Sequence, residues 1–198
     1  MRQSENKIPK VGVLALQGDF AAHQRVMATL CETSLVRKAS DLHGLNGLII
    51  PGGESSALLR LMQRESLLEH INAFYQSGGA IFGTCAGLIL MAMSVTPQQS
   101  SLELLDVDVS RNAYGRQQES FVGQGEWSDA LPEAQTLAMA FIRAPKITRV
   151  GQQVEVLATC RQSPVLVRDQ RLLAASFHPE VSGSSVIHHY FLTRCVCL

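Results

Sequence analysis

The chain has 198 residues and carries 17 Lys and Arg against 17 Asp and Glu, so its formal net charge is zero. With 46% hydrophobic and 17% charged residues it is not a disordered chain, and it lacks the basic excess that general nucleic-acid binding requires. A chain of this length hides about 70% of its surface on folding, enough for a core without staples, and so low a surface charge hints at apolar area meant for a partner. No apolar run reaches the roughly 18 residues of a membrane span, and the first ten residues are too polar for a signal peptide. The five cysteines, Cys31, Cys85, Cys160, Cys195 and Cys197, have no paired spacing. Together these features predict a cytoplasmic protein that binds neither nucleic acid nor membrane. One domain over residues 1–198 is expected, with residues 1–9 as a flexible extension.

Residues 11–16 form a short apolar run suited to a strand buried on both faces, broken by Gly18-Asp19. Helical spacing follows over 21–30, an edge strand is expected over 34–38, and a second buried strand over 47–50 stops at Pro51-Gly52-Gly53. Residues 55–63 and 66–76 both read as amphipathic helices, 80–83 as a third buried strand and 86–93 as an apolar helix. This alternation predicts an α/β fold with a mostly parallel sheet and helices on both faces. In the second half, strands are expected at 107–110, 120–125, 136–142, 154–160, 164–168 and 172–177, as antiparallel additions to that sheet. A closing helix is expected over 184–195, with Val186, Ile187, Tyr190, Phe191 and Cys195 inward.

The richest segment chemically is Gly83-Thr84-Cys85-Ala86-Gly87. A strand turns into a helix with a cysteine at the corner and a glycine two residues to either side, the sulfur counterpart of a nucleophile elbow. Such a corner strains the nucleophile's backbone and leaves no room for side chains at the flanking positions. The thiol sits at a helix amino end, which favours thiolate, and the Ala86 N–H can donate to a developing oxyanion. The plainer alternative is a buried free cysteine. A thiolate that cleaves an amide needs a proton donor for the leaving nitrogen. His178-Pro179-Glu180 follows the 172–177 strand, so His178 lies at the same sheet edge as Cys85. Glu180 can fix its tautomer. The alternative there is a proline turn with both side chains solvated. His188 and His189 are adjacent and point apart, and His23, His43 and His70 are isolated, so no metal site is predicted.

Pro51-Gly52-Gly53-Glu54-Ser55-Ser56 also joins a strand to a helix. It is either a cradle of N–H groups for an anion or a plain helix start, capped by Ser55 with Glu54 on the dipole. Arg111-Asn112-Ala113-Tyr114-Gly115-Arg116-Gln117 and Phe141-Ile142-Arg143-Ala144-Pro145 each put an arginine just after a strand, suited either to carboxylate recognition or to plain solvation.

A cysteine elbow with a distant His-x-Glu resembles the class I, triad-type glutamine amidotransferases. The blocks Leu16-Gln17-Gly18, Gly52-Gly53-Glu54-Ser55, Arg111-Asn112…Gly115-Arg116-Gln117 and Ile142-Arg143-Ala144-Pro145 are similar, in content and order, to the glutaminase subunits of pyridoxal 5′-phosphate synthase. The resemblance runs from residue 11 to about 195. It implies a flavodoxin-like fold and hydrolysis of L-glutamine to glutamate and ammonia through a thioester on Cys85. His178 would move the proton and Glu180 would orient it. Gly53 and Ala86 N–H groups would hold the oxyanion, and Gly53, Glu54, Ser55, Arg111, Ile142 and Arg143 would contact glutamine. It further implies no cofactor and a synthase subunit as partner, which receives the ammonia and without which the glutaminase is poorly active. Another triad amidotransferase, an amidase or peptidase with the same elbow, and a regulatory module that lost the chemistry are the competing readings. Two local departures carry no catalytic role: Val181-Ser182-Gly183-Ser184-Ser185 is less acidic than the family pattern, and Cys195-Val196-Cys197-Leu198 has only the outline of a prenylation box.

Overall fold

The computed structural model describes residues 8–111 and 120–197. Residues 1–7 of the expected extension and residues 112–117 of the first arginine block lie outside the described residues. The first half runs β1 (Lys10–Leu14), α1 (Phe20–Met27), β2 (Glu32–Val36), β3 (Gly47–Ile50), α2 (Ser55–Arg64), α3 (Leu67–Gln76), β4 (Ala80–Thr84) and α4 (Ala86–Met91). The second half runs β5 (Ala92–Thr96), β6 (Leu105–Ser110), β7 (Ser120–Gly123), β8 (Glu126–Trp127), β9 (Met139–Ile142), β10 (Lys146–Val150), β11 (Glu155–Cys160), β12 (Ser163–Asp169), β13 (Leu172–Ala175) and α5 (Val186–Phe191).

An eight-stranded sheet in the order β2-β1-β3-β4-β13-β12-β11-β8 carries the fold. β2, β1, β3, β4 and β13 are parallel, and β12, β11 and β8 extend the sheet antiparallel. The central strands are apolar throughout because both faces are covered. Leu48, Ile50 and Ile81 face a core built with Leu58 and Met62 of α2, Ile71 of α3 and Leu88 of α4. The intervening Ile49 and Phe82 face the opposite core, with Met27 of α1 and Phe191 of α5.

The prediction of a mostly parallel sheet with helices on both faces holds, but not every second-half strand joins that sheet. β6 lies in a separate three-stranded sheet, β10-β6-β5, and pairs parallel with β5. β7 and β9 form a two-stranded antiparallel sheet of their own. The sequence of β6 gives the reason: Leu105, Val107 and Val109 are buried while Asp106 and Asp108 point outward, so the strand can be covered on one face only. β5, β8 and β10 were not anticipated. The helix expected to reach residue 93 ends at Met91, where Ala92 turns extended (φ −63°, ψ 150°) into β5. The closing helix likewise ends early, at Phe191, and passes into a π-helical turn over Leu192–Val196.

A side chain has no place at Gly87, because a Cβ there would run into the carbonyl oxygen of Ile50 on β3. Gly87→Ala is therefore expected to lower unfolding stability by about 1–3 kcal/mol, read as a lower urea midpoint at unchanged m. An unshifted midpoint would mean that α4 does not ride that close to β3.

Candidate active site

β4 and β13 are neighbours in parallel register, with Leu173 opposite Phe82 and Ala175 opposite Thr84. Both strands therefore stop at the same edge, and the residues just beyond them meet. Cys85 adopts φ 49°, ψ −100° and donates its N–H to Ala175 O at 2.8 Å. The elbow geometry costs about 1–3 kcal/mol for a non-glycine residue. It is held because Leu88, Leu90 and Met91 of the following helix are fully buried and Ile89 nearly so, a gain of roughly 1.5–3 kcal/mol per side chain. A Cβ at Gly83 would meet Gly87 backbone and the Met91 sulfur at 2.6 Å, so both flanking glycines are required by space.

His178 follows β13, its N–H bonded to Ala140 O at 2.8 Å, and Pro179–Val181 makes one tight helical turn. Cys85, His178 and Glu180 are 5%, 9% and 6% exposed, which disposes of the solvated-turn alternative. His178 Nδ1 donates to Glu180 Oε1 at 2.7 Å. Its ring, the Cys85 Cβ and Gly52 crowd one another so closely that a side chain at Gly52 would strike the imidazole. Nε2 has no partner at ordinary hydrogen-bond geometry, yet Cys85 is near enough to perturb the ring. The two side chains therefore lie side by side over Gly52, while the thiol itself donates to Ile142 O in a long contact of 3.9 Å; catalytic hydrogen bonds commonly tighten only once a substrate is bound. Burial alone would lower the His178 pKa, but hydrogen bonding to and the charges of Cys85 and Glu180 outweigh it and raise the value to about 10.

A cavity of about 200 Å³ opens over the thiol. That is below the ~300–1,000 Å³ of sites for drug-sized ligands and on the scale of a single amino acid. Cys85 and His178 line it together with all six residues expected to touch glutamine, Gly53, Glu54, Ser55, Arg111, Ile142 and Arg143, with Gln17 of the Leu16-Gln17-Gly18 block, and with Ile89, which no motif marked. Ala86 is buried at the start of α4, and the first intrahelical bond is Ile89 N–H to Cys85 O at 3.2 Å, so its N–H is not used within the helix. Two larger cavities, of about 510 and 560 Å³, lie away from Cys85.

The loops around the cavity brace one another. Gly53 holds φ 154° against the Gln17 amide, and Gln17 Oε1 accepts from Glu54 N–H at 3.1 Å. The cap of α2 is Glu54 and not Ser55: its carboxylate accepts from Ser56 N–H at 3.1 Å and Ala57 N–H at 2.7 Å. The Ser56 hydroxyl, followed by these N–H groups, holds the Glu54 pKa down against the effect of burial. Ser55 instead donates to Gln99 Oε1 at 3.0 Å, and the same oxygen takes a very short hydrogen bond from Arg111 Nη1. Arg111 follows β6, Ile142 ends β9 and Arg143 follows it, so the two small sheets deliver them to the rim. Gln17 was legible as the residue after a strand end. Gln99 carried no local signal.

A model of the SNO glutamine amidotransferase family matches residues 13–197. The chain is 44% identical over 185 residues to the pyridoxal 5′-phosphate synthase subunit PdxT of Thermosipho africanus, covering 92% of this chain and 97% of that one. It is 47% identical over 185 residues to the subunit of the same name from Koribacter versatilis, covering 92% and 94%. A crystal structure of a glutamine amidotransferase superposes with a TM-score of 0.86 and 42% identity, over 93% of this chain and 98% of that one. With nearly its whole length matched and the elbow, imidazole and carboxylate gathered at one sheet edge, this chain belongs to the SNO glutamine amidotransferase family.

Proposed function

We propose that the chain is the glutaminase subunit of a pyridoxal 5′-phosphate synthase, hydrolysing L-glutamine and passing the ammonia to a synthase subunit. The observation that carries this is the run Cys85–His178–Glu180 beneath a cavity of about 200 Å³ rimmed by Arg111 and Arg143. In the reaction the Cys85 sulfur attacks the carboxamide carbon, and the carbonyl oxygen gains charge against the N–H groups of Gly53 and Ala86. His178, whose protonated form the neighbouring Cys85 and Glu180 favour, gives its proton to the departing nitrogen, and ammonia leaves as the thioester forms. Water then adds to the thioester, giving its proton to His178, and the sulfur leaves to yield glutamate. The arginines suit the substrate's α-carboxylate, and no step asks for a cofactor.

PdxT relatives at 44–47% identity support the synthase subunit as partner. Five free thiols suit a reducing compartment, and no helix among the described residues is long and apolar enough to cross a membrane, so we assign the chain to the cytoplasm. Two cores built on one eight-stranded sheet support a single domain.

Glutamate release from L-glutamine, measured with and without the synthase subunit, tests the reading. Activity is expected with the subunit present. Cys85→Ala is expected to remove at least about 10³-fold of kcat while the fold and partner binding persist, and a variant keeping a tenth of normal turnover would sink the mechanism. Arg111→Ala is expected to raise KM by about 10- to 100-fold, and unchanged kinetics would take Arg111 out of the substrate site.

A stability titration gives an independent check. The folded-state pKa of His178 lies above its ordinary value of 6.5, at about 10. Its contribution is therefore fully present below pH 6.5 and is lost as the pH rises through 10. Urea midpoints of the wild-type chain should fall across that window more steeply than those of His178→Gln. Parallel curves would show that the imidazolium is not held by these partners.

A further inference from the structure

The Glu180 carboxylate has two oxygens, and the triad uses one. Oε1 accepts from His178 at 2.7 Å. Oε2 lies where neither oxygen meets solvent and has no aligned hydrogen bond. What faces it is Nε2 of His23, at 3.3 Å, and both side chains are wholly buried. His23 projects from α1, which packs on the Pro179–Val181 turn carrying Glu180. The same Nε2 is 3.1 Å from the Thr84 hydroxyl, one residue before the nucleophile, and Nδ1 is 2.9 Å from Nε2 of His188 on α5.

The hydrogen-bond roles follow from what each assignment would bury. If His23 donated from Nδ1, its Nε2 lone pair would face a carboxylate oxygen and His188 would bury an unpartnered Nδ1–H. If His188 Nε2–H donates to His23 Nδ1, then His23 Nε2 carries the proton, donating to Thr84 Oγ1 at 3.1 Å with Glu180 Oε2 only 3.3 Å from the same nitrogen, and the His188 Nδ1 left without a partner is a bare lone pair. The second assignment leaves no buried N–H unmet and is the cheaper one. Burial, then the nearby His188 and His178, hold the His23 pKa well below its ordinary value, and burial takes His188 to about 4. Both rings are thus neutral and cannot simply act as counter-charges.

We propose that His23 is a positioning residue of the glutaminase reaction: its Nε2–H holds the second oxygen of Glu180, fixing the carboxylate that aims His178 at Cys85, and His188 fixes the tautomer of His23. This rests on the glutaminase reading, but the geometry reaches the sulfur whatever the substrate. Without that donor Glu180 is free to rotate about its last torsion, and the imidazole loses its aim.

The test uses the full chain with its synthase subunit and reads two quantities: kcat and KM for glutamine, and the rate at which iodoacetamide alkylates Cys85, followed at that peptide by mass spectrometry. His23→Phe keeps the ring and removes the donor. His23→Gln puts an amide N–H near the position of Nε2. His23→Phe is expected to lower kcat and the alkylation rate about tenfold, the low end of what losing an outer partner of a ligating histidine costs in metal sites, with KM within about twofold. His23→Gln is expected to recover most of both. Should the Phe variant not fold, His23→Asn, whose amide reaches the Nδ1 position only, is expected to be equally slow. A donor-free variant within twofold of wild type on both measures, or a Gln variant as slow as Phe, overturns the proposal. If no variant or wild-type chain hydrolyses glutamine and yet alkylation follows this pattern, the substrate reading fails and the role of His23 stands.

Discussion

The chemistry of this molecule hangs on one pairing, the parallel register of β4 with β13. The two strands are about ninety positions apart in sequence, and hydrogen bonding between them sets the end of one level with the end of the other. Cys85 and His178 lie just past those ends and have no other reason to meet. A shift of one residue in this register would turn Phe82 and Leu173 to the other face and carry the imidazole away from the sulfur. The register is fixed by burial: the strands are covered on both faces, and Phe82 and Leu173 share one core while Ile81 and Leu172 share the other.

That same burial stabilises an unfavourable backbone. A cysteine in the left-handed half of conformational space costs about 1–3 kcal/mol, and the glycines that admit the turn add further chain entropy to be overcome. The apolar face of α4, packed against β3 through Gly87, offsets both. The strained turn sets Cys85 at the corner between β4 and α4, where it lines the cavity.

Around this point the polar groups are held in place from several separate elements. β6 and β9 belong to different small sheets, each half-buried against a different core, and each delivers an arginine to the cavity rim. Gln99 holds Arg111 and Ser55 together, and Gln17 locks the Gly53 loop. Beneath them Glu180 links the reacting edge to histidines on α1 and α5, on the face of the sheet opposite α2 and α3. The site is therefore assembled from both faces of the sheet, which is why a fold of this size is needed to present so few reacting atoms.

The amino-acid sequence by itself determined the α/β class, the central strands to within a few residues and the two loops at strand ends. It also determined the elbow. These are consequences of short-range rules: apolar runs bounded by glycine, and a corner that admits no side chain two residues away. The boundary of α4 at Met91, the capping of α2 by Glu54 and the separation of β6, β7 and β9 from the main sheet were decided by packing between distant segments. So were the partners of buried polar atoms. Nothing near His23, His188 or Gln99 in the chain marks them, because a buried hydrogen bond is specified by whichever group the fold brings within about 3 Å, and only the tertiary structure selects that group.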